Sequence, residues 1–132
     1  MRQTLALTTL VVRDYDEAIA FYRDKIGFTL AEDIPQADGK RWVVVAPAGD
    51  GASRLLLARA ANEAQIARIG DQTGGRVGFF LETDDFARDH AAMLERGVIF
   101  VREPLQAPYG VVAVWRDLYG NLWDLLEPAP RD

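Results

Sequence analysis

The chain contains no cysteine and a single histidine, His90, among its 132 residues. The lack of cysteine excludes disulfides, thiolate nucleophiles and sulfur-ligated metals, and it agrees with a reducing compartment, so we expect a cytoplasmic protein. A single histidine also excludes a multi-histidine metal site built from one chain. His90 falls inside a predicted helix, between Ala87 and Leu94, where a histidine is more often a surface or packing residue than a ligand.

Long apolar runs and an excess of positive charge are also missing. No segment approaches the roughly 18 apolar residues that a membrane-spanning helix needs. The N-terminal segment MRQTLALTTLVV lacks the pattern of a signal peptide. The formal net charge is −5, whereas nucleic-acid binding depends on basic side chains that meet phosphates. We therefore expect neither nucleic acid nor a membrane as a partner.

The chain does have enough apolar material for a core. Hydrophobic residues make up 49% of the sequence and charged residues 27%, which is typical of a globular protein. A chain of 132 residues predicts a single domain, over residues 1–132.

The predicted elements occur in the same order in the two halves of the chain. In the first half, a strand over Leu5–Val12 precedes a helix that has Asp14 as its N-cap and Gly27 as its stop. Three further β-rich runs then predict strands over residues 28–31, 42–45 and 54–58.

The second half begins with a strand over Val77–Leu81 and a helix that Asp84 caps and Gly97 ends. The apolar stripe of this helix is predicted at Ala87, Ala91 and Leu94. Three strands follow again, over residues 98–101, 111–115 and 122–126. We predict an α+β fold of two tandem βαβββ modules, at about residues 1–60 and 76–132, with a connector at about 61–75.

Several segments resemble the vicinal oxygen chelate superfamily, which contains glyoxalase I, extradiol dioxygenases and bleomycin-resistance proteins. Residues 13–28, RDYDEAIAFYRDKIGF, resemble its first-helix signature, and residues 117–128, DLYGNLWDLLEP, resemble its C-terminal turn and last strand. Residues 75–104 and 107–120 are similar to the middle of its second module. The resemblance implies that the modules enclose a cup, and because many relatives are homodimers we expect a homodimer.

The resemblance also implies four strand positions for the ligands of a divalent metal. These positions correspond to Leu7, Leu56, Gly78 and Asp124. Only Asp124 has a donor atom, whereas divalent metals in proteins are held by several oxygen or nitrogen ligands. We therefore expect no metal cofactor, and a divalent ion at Asp124 is the disfavoured alternative.

Without a metal, the cup would be lined by side chains for a small-molecule ligand. Alternation along a strand places Phe80 and Glu82 on the face of Gly78, and Arg54 on the face of Leu56. Aromatic residues add flat surfaces, although the sequence does not say which face of the Trp42 and Trp115 strands lines the cup. The predicted ligand-binding residues are Trp42, Arg54, Leu56, Gly78, Phe80, Tyr109, Trp115 and Asp124.

The residues leave three functional hypotheses open. The first is a binder of a small apolar or aromatic molecule, of the bleomycin-resistance kind, without a metal. The second is an enzyme: a glyoxalase-like lyase, an extradiol-type dioxygenase, or a metal-free enzyme that uses Glu82 and Asp124 as catalytic acid and base. The third is an interaction module whose cup is filled by its own side chains. The missing metal ligands favour the first hypothesis.

Overall fold

The computed structural model of the chain describes residues 1–49, 51 and 53–130. The chain divides into two compact units, Met1–Ile69 and Gly70–Asp132, and each unit contains one four-stranded sheet. The boundary between the units falls inside the predicted connector. Among the described residues, no helix is long and apolar enough to cross a membrane.

The first unit has the predicted order strand–helix–strand–strand–strand. Its elements are β1 (Leu7–Val12), α1 (Tyr15–Ala20) with a π-helical continuation (Phe21–Ile26), β2 (Thr29–Pro35), a 3₁₀ turn (Ala37–Gly39), β3 (Arg41–Ala46), β4 (Arg54–Arg59) and the connector helix α2 (Glu63–Ile66). The strand order in the sheet is β1-β4-β3-β2. The first and last strands run parallel, and the other neighbours are antiparallel.

The second unit repeats this topology. Its elements are β5 (Val77–Glu82), α3 (Phe86–Glu95), β6 (Ile99–Ala107), β7 (Gly110–Arg116) and β8 (Leu122–Pro128). The strand order is β5-β8-β7-β6, again with the first and last strands parallel. The predicted α+β fold of two βαβββ modules is therefore confirmed, although β6 extends well beyond the predicted strand over 98–101.

The first helix starts and ends where the sequence predicts, but the second starts one residue later. The Asp14 carboxylate accepts a hydrogen bond from the Glu17 amide at 2.9 Å, and Gly27 ends the helix with a φ of 94°. In the second unit Asp85, and not Asp84, is the N-cap. The first unit therefore has one more residue between cap and stop, and the wider π-helical turns accommodate it.

The apolar stripe predicted for the second helix was wrong. Phe86 and Met93 are its buried residues, whereas Leu94 is 50% exposed. Residues seven positions apart lie on the same side of a helix, so burial of Phe86 also places Met93 against the sheet. Burial of Phe86 and Met93 removes more apolar surface from water than burial of Ala87 and Ala91 would.

One face of each sheet packs against the helices of its own unit, and we call it the helix-side face. In the first unit it carries six nearly inaccessible residues, Leu10, Val12, Val43, Val45, Leu55 and Leu57. In the second unit the ring of Trp123 stacks between Phe79, at 4.7 Å, and Trp115, at 4.9 Å. These apolar layers form the cores of the two units.

A buried carboxylate shapes the turn that leads into β8. One oxygen of Asp117 accepts hydrogen bonds from the backbone amides of Tyr119, Gly120 and Asn121 at 2.9–3.0 Å. The other oxygen accepts from Asn121 Nδ2 at 2.9 Å. Gly120 has a φ of 103°, which favours glycine at this point of the turn. The turn therefore sets the position at which β8 begins.

We expect Asp117→Ala to lower the free energy of unfolding by about 2–4 kcal/mol, because it leaves several buried donors without an acceptor. Asp117→Asn should cost less, since its amide oxygen still reaches the three backbone amides. Urea unfolding measures both changes, with Glu103→Ala at an exposed position of β6 as the control. An Asp117→Ala variant as stable as the unmodified protein would contradict this account of the turn.

Candidate functional site

The first sheet has a second face that its own helices do not cover. Strand pairing places Thr9 beside Leu56 and Leu56 beside Val44, and alternation brings Arg54 and Trp42 to the same face. We call this the Leu56 face, and it is formed by Leu7, Thr9, Trp42, Val44, Arg54, Leu56 and Ala58. The structure thus resolves the orientation of Trp42, which the sequence left open.

A polar contact crosses the Leu56 face at one end. The indole Nε1 of Trp42 donates a hydrogen bond to Glu32 Oε2 at 3.3 Å, and both side chains are half-buried. Glu32 lies in β2 after a bulge that follows Leu30. The sequence pattern predicted that this strand ends at residue 31, so Glu32 was not among the predicted site residues.

The second sheet has a corresponding face, centred on Asp124. Four residues form a row across the strands: Phe80 on β5, Asp124 on β8, Val114 on β7 and Arg102 on β6. We call this the Asp124 face, and it is formed by Phe80, Glu82, Arg102, Leu105, Val112, Val114, Leu122, Asp124 and Leu126. Most of these residues are apolar, so the face combines a hydrophobic surface with few charges.

Two features make the centre of the Asp124 face unusual. Phe80, the neighbour of Asp124 on β5, is 64% exposed. Burial raises the pKa of the Asp124 carboxyl above its usual range, and the positive charge of Arg102 opposes that shift. Among the described residues, none donates a hydrogen bond to this half-buried carboxylate.

A side chain at position 78 would overlap the methyl group of Thr73. Gly78 occupies a bulge between Val77 and Phe79, and a Cβ atom at this position would lie 2.6 Å from Thr73 Cγ2. The Thr73 hydroxyl donates to the Arg76 carbonyl at 2.6 Å, which holds the methyl group in place. A metal-binding side chain at Gly78 would require this segment to move.

The residues present do not fit the metal of the oxygen-chelate relatives. Leu7 and Leu56 have no donor atoms, Gly78 has no side chain, and Asp124 alone offers a carboxylate. In the part of the chain that the structure describes, no group of three or more His, Cys, Asp or Glu side chains could hold a metal ion. His90 lies in α3, where its ring stacks on Phe86 at 5.3 Å.

Three other predicted residues have different placements. Trp115 has 0% exposure and belongs to the helix-side face, opposite Asp124, so it lies outside the candidate site. Tyr109 is exposed in the tight turn between β6 and β7, where Gly110 lets the chain pass close to the Glu127 carbonyl. Glu82 is exposed on the Asp124 face, beside Leu126.

Arg102 belongs to the candidate site, although the sequence pattern did not indicate it. The predicted strand ended at Val101, and a bulge between Phe100 and Arg102 shifts the alternation of side chains. The bulge brings Arg102 to the Asp124 face, opposite Val114. Only the pairing of β6 with β7 reveals this placement.

A model of the Glyoxalase/Bleomycin resistance protein/Dioxygenase superfamily matches residues 4–125. The chain belongs to this superfamily. The family resemblance inferred from the helix and C-terminal signatures is thereby confirmed. The match spans most of both βαβββ units.

Individual relatives resemble this superfamily member along nearly their whole length. The chain is 56% identical to an uncharacterized protein of Shewanella frigidimarina (strain NCIMB 400), over 96% of this chain and 95% of that protein. The crystal structure of UcmS2 matches with a TM-score of 0.83 and 30% identity, over 96% and 98% of the two chains. TnmS3, an antibiotic binding protein from Streptomyces sp. CB03234, matches with a TM-score of 0.78 and 32% identity, over 97% and 98%.

The contact at Gly78 predicts a paired effect of two substitutions. Gly78→Ala should lower the free energy of unfolding by about 1–3 kcal/mol, because the new methyl group overlaps Thr73 Cγ2. Adding Thr73→Ser removes Cγ2 but keeps the hydroxyl, so the double variant should recover most of the loss. Urea unfolding of both single variants and the double variant measures the coupling, and equal costs with and without Thr73→Ser would reject the steric explanation.

Because the pKa of Asp124 is raised, we predict that replacing this residue by a neutral one stabilises the fold at neutral pH. A carboxyl with a raised pKa in the folded state binds its proton more tightly there, so its stabilising contribution is lost as pH rises through that pKa. Asp124→Asn should therefore unfold at higher urea concentration than the unmodified protein at about pH 7, and the difference should shrink towards about pH 3. Glu103→Gln is the matched control, and a loss of stability at neutral pH would contradict the prediction.

Proposed function

We propose that the protein binds a small apolar or aromatic molecule on the Asp124 face, without a divalent metal. The observation that carries this proposal is the exposed ring of Phe80 beside a half-buried carboxylate that accepts no hydrogen bond from the described residues. An exposed aromatic ring next to a desolvated polar group is typical of a ligand site, where the ring supplies contact area and the polar group supplies orientation.

The neighbours of Phe80 and Asp124 support an apolar ligand. Leu122 and Leu126 flank Asp124 on the same face of β8, and Val114 is its partner on β7. Leu105 extends the apolar surface on β6 and is 56% exposed. A molecule lying on this face would remove the exposed carbon atoms from water, which is favourable at about 25 cal/mol per Å².

The Leu56 face offers a second surface for ligand contact. Trp42 presents a half-buried indole there, and Arg54 is a half-buried cation on the same face. Both residues belong to the predicted ligand-binding set, and their role stays a prediction. The antibiotic binding described for TnmS3 supports a binding function in a relative that is 32% identical to this chain.

A binding experiment with a neutral aromatic probe tests the proposal. We expect naphthylmethanol to shift the backbone amide resonances of Phe80, Val114 and Asp124 in a nuclear magnetic resonance titration. Phe80→Ala should weaken binding about tenfold, because loss of the ring contact costs about 1.4 kcal/mol. Leu94→Ala, at an exposed apolar position of α3, is the matched control. If no resonance of the Asp124 face moves, the proposed site is wrong.

A metal titration tests the absence of a metal separately. Protein dialysed against a chelator is titrated with Ni²⁺, Mn²⁺ and Zn²⁺ by calorimetry. Because one carboxylate is too few donors for a divalent site, we expect no binding tighter than about 0.1 mM. One metal ion per chain bound with micromolar affinity would overturn the metal-free part of the proposal.

The metal-free enzyme is a second candidate, and the raised pKa of Asp124 favours it. A carboxylate with a raised pKa is a stronger base, and Glu82 lies on the same face as a second acid–base group. In this case Asp124→Asn would abolish turnover of a substrate while leaving its binding largely intact. Unchanged turnover in Asp124→Asn would reject a catalytic role for Asp124.

A further inference from the structure

We propose that the Asp124 face selects aromatic ligands that carry a protonated amine, with Asp124 as the partner of the amine and Phe80 as the contact surface for the ring. This inference rests on the proposed binding function and specifies the chemical class of the ligand. It follows from the hydrogen bonding of the carboxylates, from the neighbours of Asp124 and from the position of Arg102.

Asp124 differs from every other buried or half-buried acidic side chain in the described ranges 1–49, 51 and 53–130. Each of the other five accepts at least one hydrogen bond: Glu17 from Arg13, Glu32 from Trp42, Asp89 from Thr83 and Arg88, Asp117 from its turn, and Glu127 from the Phe86 amide. No described residue donates a hydrogen bond to the Asp124 carboxylate. Its donor is therefore expected from outside the chain, since a carboxylate removed from water is costly unless it is hydrogen-bonded.

The surroundings of Asp124 favour a charged donor over a neutral one. Its partners across the sheet are Phe80 and Val114, and Leu122 and Leu126 flank it along β8. These apolar groups limit access of water to the carboxylate, which strengthens its attraction to a cation. A hydrogen bond between an ammonium and a carboxylate is roughly twice as strong as one between neutral groups.

Phe80 adds a reason for an aromatic amine. Its ring is 64% exposed and lies on the strand next to Asp124. A ligand ring can contact Phe80 while the attached ammonium reaches the carboxylate. The ammonium would also lie close to the face of an aromatic ring, and such an arrangement is attractive.

Arg102 limits where the amine can bind. Its side chain is on the same face, two strands from Asp124, so the two backbones are about 10 Å apart. The guanidinium lowers the pKa of Asp124 through its charge but forms no ion pair with it. It therefore repels a ligand cation on the Val114 side and favours the Phe80 side. Removing this charge should strengthen amine binding.

Two probes with the same ring test the inference. Naphthylmethylamine and naphthylmethanol are titrated into the full chain at neutral pH, and binding is followed at the amide resonances of the Asp124 face. We expect the amine to bind at least tenfold more tightly than the alcohol. Asp124→Asn should remove this preference, because it should lower the affinity for the amine at least tenfold and change the affinity for the alcohol less than twofold. Arg102→Gln should raise the affinity for the amine two- to fivefold.

Glu95→Gln is the control for net charge, because it removes one negative charge from an exposed position on α3. We expect it to change neither affinity by more than twofold. Equal affinity of the unmodified protein for both probes would overturn the amine preference while leaving the proposed binding function intact. Binding of neither probe to the Asp124 face would instead reject the proposed function. An equal loss of amine affinity in Glu95→Gln and Asp124→Asn would show that net charge, and not Asp124, attracts the amine.

Discussion

Within the described residues, each four-stranded sheet is covered by helices of its own unit on one face only, and the candidate site depends on this constraint. The helix-side faces carry the apolar layers that stabilise the units, including the stacked rings of Phe79, Trp123 and Trp115. Because neighbouring side chains on a strand alternate, each core residue is followed by one that points to the other face. Trp123 and Asp124 are such neighbours, so packing of the tryptophan determines the orientation of the carboxylate.

Burial raises the pKa of the Asp124 carboxyl, so the charged form is disfavoured in this position. It is half-buried among apolar side chains and receives no hydrogen bond from the described residues, whereas Asp117, seven residues earlier, accepts four. Both acids belong to the segment that forms the last turn and strand. One of them stabilises the turn through its hydrogen bonds, whereas the raised pKa of the other predicts a cost to stability at neutral pH. An unfavourable side chain in a well-packed sheet is the pattern expected of a residue that serves a ligand.

The superfamily scaffold is retained here, whereas only one of the four positions that the resemblance implies for metal ligands has a side-chain donor atom. Leucine occupies two of the four positions that the resemblance implies for metal ligands, and at the third a side chain would overlap the Thr73 methyl group. These changes do not disturb the strand order, because neither backbone pairing nor core packing requires donor atoms on the Leu56 and Asp124 faces. The fold therefore does not depend on metal-ligand residues at these positions.

The sequence by itself determined the order of the elements, the two βαβββ modules, the Asp14 cap and the glycine stops, because these depend on neighbouring residues. It also determined that Phe80 and Asp124 are candidate site residues. Only the tertiary structure decided that Trp115 belongs to the core and that Asp85 caps α3. It also decided that Arg102 belongs to the Asp124 face and Glu32 to the Leu56 face. Strand register, bulges and helix rotation depend on residues far apart in the chain, so local patterns do not contain them.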